Sequence, residues 1–271
     1  MSEGLVLGWG VPRLRDLPWR AIRDPWPILV AEVMLQQTQA ERVIPKWKAF
    51  AAAYPTPGAC AAASLGDVLR LWHGLGYPRR ARNLLEASVA MVERHDGHVP
   101  DRLVDLLALP GVGPYTARAV LAFAFERDEA VVDTNIARVL ARTTGERMTA
   151  KRVQVVADDL VPRGHGWVWN QCLMDLGAVV CRPRPHCVVC PVSSACAWYR
   201  AGRPQPDPAN GSAGVSTRQA PYEGSDRQQR GRVLRVLTTG AASSDRFATH
   251  IVDGLVVDRL VVRDGPNLRL P

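Results

Sequence analysis

Four of the six cysteines crowd into a single short segment, Cys181-x5-Cys187-x2-Cys190-x5-Cys196, while Cys60 and Cys172 stand alone. In a chain of 271 residues this is not a disulfide scaffold. Four thiolates in one loop suit an iron–sulfur cluster or zinc. The compact, proline-bearing spacing favours a [4Fe–4S] cluster over a zinc ribbon, whose cysteine pairs stand farther apart. Cys60 and Cys172 read as buried core thiols.

The segment lies in an ordinary globular composition, 47% hydrophobic and 22% charged, which excludes a disordered or fibrous chain. The longest clean apolar run, Ala119 to Phe125, is far too short to span a bilayer, and Met1 to Gly10 lacks the basic start of a signal peptide. A soluble, cytoplasmic protein is the expectation. The net charge of +8 favours a polyanionic partner. Lys46, Lys48 and Lys151 are the lysines, so 31 of the 34 cations are arginines. High genomic GC content produces the same bias, so the arginine preference carries no functional reading.

Residues 1–200 read as almost entirely helical. Apolar residues recur with helical spacing over Pro27–Gln37, Leu65–His73, Arg79–Glu93, Leu103–Leu107, Pro114–Phe125, Thr134–Arg142 and Lys151–Leu160. Ser64 with Asp67 has the form of a capping box. Arg203 to Ser225 is rich in Pro, Gly, Ser and Asn and reads as a flexible linker. Beyond it, a small C-terminal module over 226–271 is expected, with a helix at Asp226–Leu237. Leu255 to Leu270 alternates apolar and polar residues around Asp264-Gly265-Pro266-Asn267, which predicts a β-hairpin. A helix followed by a hairpin is compatible with a winged helix. Arg227, Arg230, Arg232 and Arg235 on or near one helix suit contacts to a phosphate backbone.

Three further motifs carry chemistry. In Leu109-Pro110-Gly111-Val112-Gly113-Pro114-Tyr115-Thr116 a helix ends, a Gly-x-Gly hairpin turns the chain, and Pro114 opens the next helix. Gly111, Val112 and Gly113 leave amides open beside a helix N-terminus, which suits a phosphate. This is the pattern of a helix-hairpin-helix, which grips a DNA backbone without reading sequence; the bland alternative is an ordinary αα-corner. Glu32 shares a helix face with Ile28, Leu29, Leu35 and Gln36, where lost hydration raises a carboxyl pKa and makes a proton donor. Its alternative is a glutamate that reaches solvent or pairs with an arginine. Asp133 falls at the N-cap of a helix, where amides and dipole keep a carboxylate ionised; capping alone would also explain it. Together, one protonated and one ionised carboxyl are the usual division of labour for cleaving a glycosidic bond.

In this order these motifs resemble the endonuclease III superfamily of DNA glycosylases and, within it, the adenine DNA glycosylase (MutY) type. Leu17-Pro18-Trp19-Arg20, Ala31 to Gln39, Gly74-Leu75-Gly76-Tyr77, Leu109 to Thr116, Val132 to Asn135, Asn170-Gln171, Met174 to Ala178 and the cysteine loop carry the match, over about residues 14–199. The resemblance implies a mainly α, two-lobed helix-hairpin-helix glycosylase fold with a [4Fe–4S] loop, plus the small C-terminal α+β module. It implies a six-helix lobe at about 24–133 and a cluster lobe from about 1–23 and 134–200. The implied substrate is adenine opposite 8-oxoguanine or guanine in double-stranded DNA, flipped into a pocket, by a protein expected to be a monomer. Glu32 matches the general acid, Asp133 the carboxylate that stabilises the sugar cation, and Asn135 a supporting residue. Trp19, Arg20 and Gln171 match the adenine pocket. Gln36, Gln37 and Thr38 match the residues that probe the mispair, and Tyr77 matches an aromatic wedge. The four cysteines match the cluster ligands. Tyr115 stands where bifunctional relatives carry a Schiff-base lysine, so base removal without strand cleavage is implied.

Three departures from the family pattern stand out. The first cysteine gap is five residues rather than six. Pro78 follows Tyr77 where a second aromatic is frequent. Residues 226–271 are much shorter than the family's lesion-reading domain. Rival readings are a thymine or uracil mismatch glycosylase of the same superfamily, and a non-catalytic iron–sulfur DNA-binding module.

Overall fold

The computed structural model describes residues 1–215 and 221–271. It divides into two compact units: Met1–Arg23 with Pro114–Arg218, and Asp24–Gly113 with Gln219–Pro271. The boundary after the hairpin glycines therefore assigns the helix beginning at Pro114 to the cysteine-bearing unit, whereas the sequence suggested a boundary near 133.

In the second unit, α2 (Pro25–Leu35), α3 (Ala40–Ala53), α4 (Pro57–Ala61), α5 (Leu65–Trp72), α6 (Arg79–Arg94) and α7 (Leu103–Leu107) follow one another; α1 (Glu3–Gly10) belongs to the first unit. Asp24 caps α2 by accepting from the Trp26 amide, with Pro25 at the first helical position. Every residue from Ile28 to Met34 is buried, so α2 is the core helix of the unit. Tryptophan indoles tie α2 to α3: Trp47 donates to the Pro27 carbonyl and Trp26 to the Tyr54 carbonyl. Helix α3 was not foreseen, because Pro45 lies inside it. An interior proline costs about 3 kcal/mol; burial of Val43, Trp47 and Phe50 on one face outweighs it. Ser64 accepts from the Asp67 amide and donates to its carboxylate, as the capping box requires.

The first unit holds α1, then α8 (Pro114–Phe123), α9 (Thr134–Thr144), α10 (Ala150–Asp158), α11 (Gly166–Asp175) and α12 (Ala197–Arg200). A π-turn over Leu176–Val180 follows α11 and delivers the chain to Cys181. Residues 203–225 were expected to be a flexible linker. Their described beginning is instead a docked strap. Asp207, Ala209 and Ser212 are buried. The Pro204 carbonyl accepts from the Trp198 indole, and Ser212 Oγ accepts from the Met148 amide. Polar contacts hold this strap, which is why its low apolar content misled. Residues 216–220 lie outside the described residues.

The C-terminal segment contains α13 (Asp226–Leu237), β1 (Ala242–Ser243), α14 (Thr249–Val257), β2 (Val262–Asp264) and β3 (Asn267–Arg269). The sheet order is β1-β3-β2, all antiparallel, with Arg263 opposite Leu268 and Ala242 opposite the same residue. Helix, strand, helix and hairpin in that order form a winged-helix arrangement. The hairpin turns at Gly265-Pro266 but starts later than the alternation suggested. Leu255–Val257 stay helical because Ile251, Val252 and Leu255 bury one helical face. The segment does not stand apart. The Gly66 amide at the start of α5 donates to the carbonyl of Pro271, and Asp258, at the end of α14, pairs with Arg79 on α6.

Candidate functional site

The residues singled out from the sequence fall on both units. In the second unit, Glu32 is 4% exposed on the all-buried stretch of α2, which excludes the solvent-edge alternative. Beyond α2 the chain turns sharply, with Gln37 in the left-handed region (φ +57°) and the Thr38 amide donating to the Leu35 carbonyl. A helix end leaves carbonyls without partners. Arg80, buried on α6, supplies them: Nη1 donates to the carbonyls of Val33, Met34 and Gln36 at 2.8, 2.9 and 2.6 Å. Its Nη2 donates to the carbonyls of Leu75 and Gly76 and to Thr38 Oγ1. One guanidinium thus fastens the segment 36–38 to the turn that carries Tyr77. Burial pulls the Arg80 pKa down to about 10, with Tyr77 opposing, and leaves it cationic at neutral pH. Sequence reading missed Arg80, since an arginine in the run Arg79-Arg80-Ala81-Arg82 has no local mark of burial.

At the hairpin, the two glycines differ. Gly111 has φ +75°, and a Cβ there would stand 2.6 Å from Asn83 Cβ. Gly113 has neither restriction, with nothing within 4 Å of a Cβ. The fold requires a glycine at 111 and not at 113, where the backbone faces open space.

In the first unit, Asp133 caps α9. One carboxylate oxygen accepts from the Ile136 amide at 2.7 Å, the other from Asn135 Nδ2 at 2.8 Å. Burial pushes the Asp133 carboxyl above the ordinary carboxylate range, against the pull of the Ile136 amide, Asn135 and Arg138. The cap does lower the Asp133 pKa, as the sequence argument expects, but burial acts the other way and outweighs it. Asn135 accepts in turn from Arg138, whose guanidinium also donates to the carbonyls of Gly177 and Cys181. Gly177 allows this approach: a Cβ there would lie 2.5 Å from Asn135 Cβ. Asn170, 1% exposed, accepts from the Val131 amide and so fixes the segment entering Asp133.

Trp19 and Gln171 are buried. Arg20 is committed to Asp175, with which it makes two contacts at 2.8 and 2.9 Å, and Arg15 binds the same carboxylate. Burial works to raise the Asp175 pKa, but the two arginines outweigh it and hold the carboxyl below its ordinary value. Tyr115 is half-buried in the first turn of α8.

Cys181, Cys187, Cys190 and Cys196 line one pocket with Arg142, Val192 and Trp198. Among the described residues no three His, Cys, Asp or Glu side chains gather as a single-ion site. Arg142, buried on α9, donates to the carbonyls of Arg182 and Pro183 and to Asp207, and stacks 5.0 Å from the Trp198 ring. Burial pushes the Cys190 thiol up to about 11 and raises Cys181 and Cys196. Cys60 and Cys172 are fully buried elsewhere.

Residues 30–163 match the HhH-GPD superfamily of base excision DNA repair proteins. The adenine DNA glycosylase of Mycobacterium tuberculosis strain H37Rv is 45% identical over 88% of this chain and 78% of its own length. The chain belongs to the adenine DNA glycosylase family. A second member, from Mycolicibacterium smegmatis, is 40% identical over 94% of this chain and 91% of its own. A solved thermostable thymine-DNA glycosylase superposes with a TM-score of 0.70 at 32% identity, covering 73% of this chain and 94% of that one. Both M. smegmatis coverage figures exceed nine-tenths, so the short C-terminal segment has a counterpart in length within the family. The helix-hairpin-helix and the α-helical architecture expected from the sequence are those of the superfamily.

Proposed function

We propose that this protein removes adenine opposite 8-oxoguanine or guanine from duplex DNA by hydrolysing the N-glycosidic bond and leaving the strand intact. The observation that carries the reading is the 45% identity to an adenine DNA glycosylase over most of both chains, with Glu32 buried on α2 and Asp133 held at the cap of α9. Glu32 protonates the departing base, and its burial on α2 keeps bulk water from competing for the proton. Asp133 faces the sugar as positive charge develops on it. Its carboxylate stabilises that charge. Asn135 orients it. Trp19 and Gln171 line the base pocket, and Arg20 supports it through Asp175. The hairpin amides of Gly111, Val112 and Gly113 take a phosphate, and Gln36, Gln37, Thr38 and Tyr77 probe the mispair. Tyr115 has no amine to form a Schiff base, so no strand cleavage follows. The protein acts as a cytoplasmic monomer.

The cysteine cavity fits a [4Fe–4S] cluster. All four cysteines line one pocket, and four thiolates from one short loop are the ligand set such a cluster takes. Cys181, Cys187, Cys190 and Cys196 would hold the cluster, which supplies a covalent tie for a loop poor in apolar contacts.

Duplexes containing A·8-oxoguanine, A·G, T·G and U·G, assayed with and without hot alkali, test the reading. Abasic product from the first two, visible as breaks after alkali alone, is expected. Release of thymine or uracil instead would assign the chain the chemistry of its thymine-specific structural neighbour. No product from any duplex would leave only a DNA-binding module.

A further inference from the structure

We infer that the C-terminal winged segment is a mispair-specificity element, and that Arg227 is the residue through which it acts, by positioning Tyr77. The inference rests on the proposed role of Tyr77 at the mispair.

Tyr77 lies in the turn between α5, which ends at Trp72, and α6, which begins at Arg79. Its backbone is left-handed (φ +48°), an uncommon state for a bulky side chain and one that neighbouring structure must hold. The C-terminal segment contacts this turn and its two flanking helices at three places. At α5, the Gly66 amide donates to the Pro271 carbonyl at 2.9 Å. At α6, Asp258 receives Arg79 and the segment's own Arg230, while its carbonyl receives Arg82. At the turn itself, Arg227 Nη1 donates to Tyr77 Oη at 3.1 Å. The Arg227 guanidinium stands 6.0 Å from the Tyr77 ring centre and 5.2 Å from that of Tyr222, and Arg80 stands 5.5 Å from the Tyr77 ring. Two helices flanking the turn, and the tyrosine at its tip, are thus fixed from one module.

The same geometry argues against a reading helix. The helix between β1 and β2, α14, carries no lysine or arginine. On α13, Arg230 is paired with Asp258 and Arg227 reaches Tyr77, which leaves Arg232 and Arg235 as its exposed arginines. Arg227 and Arg230 are thus engaged within the protein, while Arg232 and Arg235 are open to a phosphate backbone. Arg227 is a positioning residue: its guanidinium fixes the phenol oxygen, and with it the plane of the ring offered to the base pair.

A double-mutant cycle in the full-length protein tests this, read by anisotropy on A·8-oxoguanine, A·G and fully paired duplexes and, separately, by single-turnover excision. Arg227→Met keeps the stem but removes charge and donor; Tyr77→Phe keeps the ring but removes Oη. Each is expected to reduce the affinity ratio of A·8-oxoguanine to paired duplex roughly three- to tenfold, as loss of one half-exposed charge-assisted hydrogen bond implies. The double variant should lose no more than either single, and Arg227→Lys should recover part of the ratio. In Arg227→Met the salt dependence of binding and the rate at saturating enzyme should stay near wild type. Multiplicative effects, or equal losses on all duplexes with a salt slope lowered by about one, would make Arg227 a phosphate contact and overturn the inference. An unchanged ratio in Arg227→Met would overturn it too. The affinity cycle does not require adenine release, so a wild type without excision would reject the proposed function and leave the Arg227 result to stand or fall by itself.

Discussion

Asp207→Ala should destabilise the cysteine-bearing unit by about 3 kcal/mol, near the lower end of the 3–5 kcal/mol typical when one partner of a buried ion pair is removed. Arg142 is 2% exposed and contacts the two oxygens of Asp207 at 2.6, 3.1 and 3.2 Å. Without that carboxylate its charge stays buried. The lower end applies because the carbonyls of Arg182 and Pro183 remain as acceptors at 2.7 and 3.0 Å. At about 2–4 °C per kcal/mol for a domain of this size, the melting temperature should fall by roughly 6–12 °C. Thermal unfolding followed by far-UV circular dichroism, with visible absorbance recorded in parallel, measures both the unit and its cysteine loop. A drop below about 2 °C would refute the reasoning, since it would mean the strap contributes nothing that solvent does not replace. A paired truncation gives a second reading. Ending the chain after Val215 keeps Asp207, Ala209 and Ser212 in place, whereas ending it after Gly202 removes all three. The longer form should be obtained soluble and the shorter should not.

Glu32→Gln should lower excision by about two to four orders of magnitude while duplex affinity stays within a factor of two or so, because the amide keeps the shape and loses the proton; single-turnover kinetics and anisotropy decide it, and turnover within tenfold of wild type would clear Glu32 of the role. Asp133→Asn should also abolish excision, yet stabilise the protein at neutral pH. With its folded pKa raised, Asp133 keeps a proton that the unfolded chain releases, so wild-type stability falls as pH climbs from the ordinary carboxylate range through the folded pKa, by up to about 1.4 kcal/mol per pH unit. Asparagine caps equally well. Urea melts at pH 7.5 and pH 5 should show the advantage shrink on acidification, and a variant less stable at both would show that the cap outweighs the burial. Cys187→Ser should lower the iron content below the roughly four atoms per chain expected of a cubane held by four thiolates, as measured by metal analysis; zinc at one per chain in the wild type would reject the cluster.

What the sequence made legible was local. Helical spacing found α2, α5, α6, α8, α9 and α10 to within a few residues, and the Gly-x-Gly hairpin needs only its own residues to be recognised. What it hid was set by partners distant in the chain. Arg80, Arg138 and Arg142 are buried because backbone carbonyls elsewhere receive them, and an arginine carries no local sign of such a partner. The strap at 207–215 is held by Arg142 and Met148, so its composition imitates a linker. Arg20 matched a pocket residue, but its guanidinium is occupied by Asp175, 155 positions away. Burial raises the Asp133 pKa, which the N-cap position alone does not report.

A Cβ is placed by the backbone and no rotamer moves it. At position 177 it would stand 2.5 Å from the Cβ of Asn135 and 2.8 Å from its carbonyl oxygen, so any side chain there displaces the first turn of α9. At position 113 a Cβ meets nothing within 4 Å. Saturation libraries at the two sites would then separate two reasons for a glycine. Sorted for folding alone, the library at 113 should return many residues and the one at 177 almost none. Sorted for excision, both should narrow to glycine, the first because DNA must come close and the second because another helix already has.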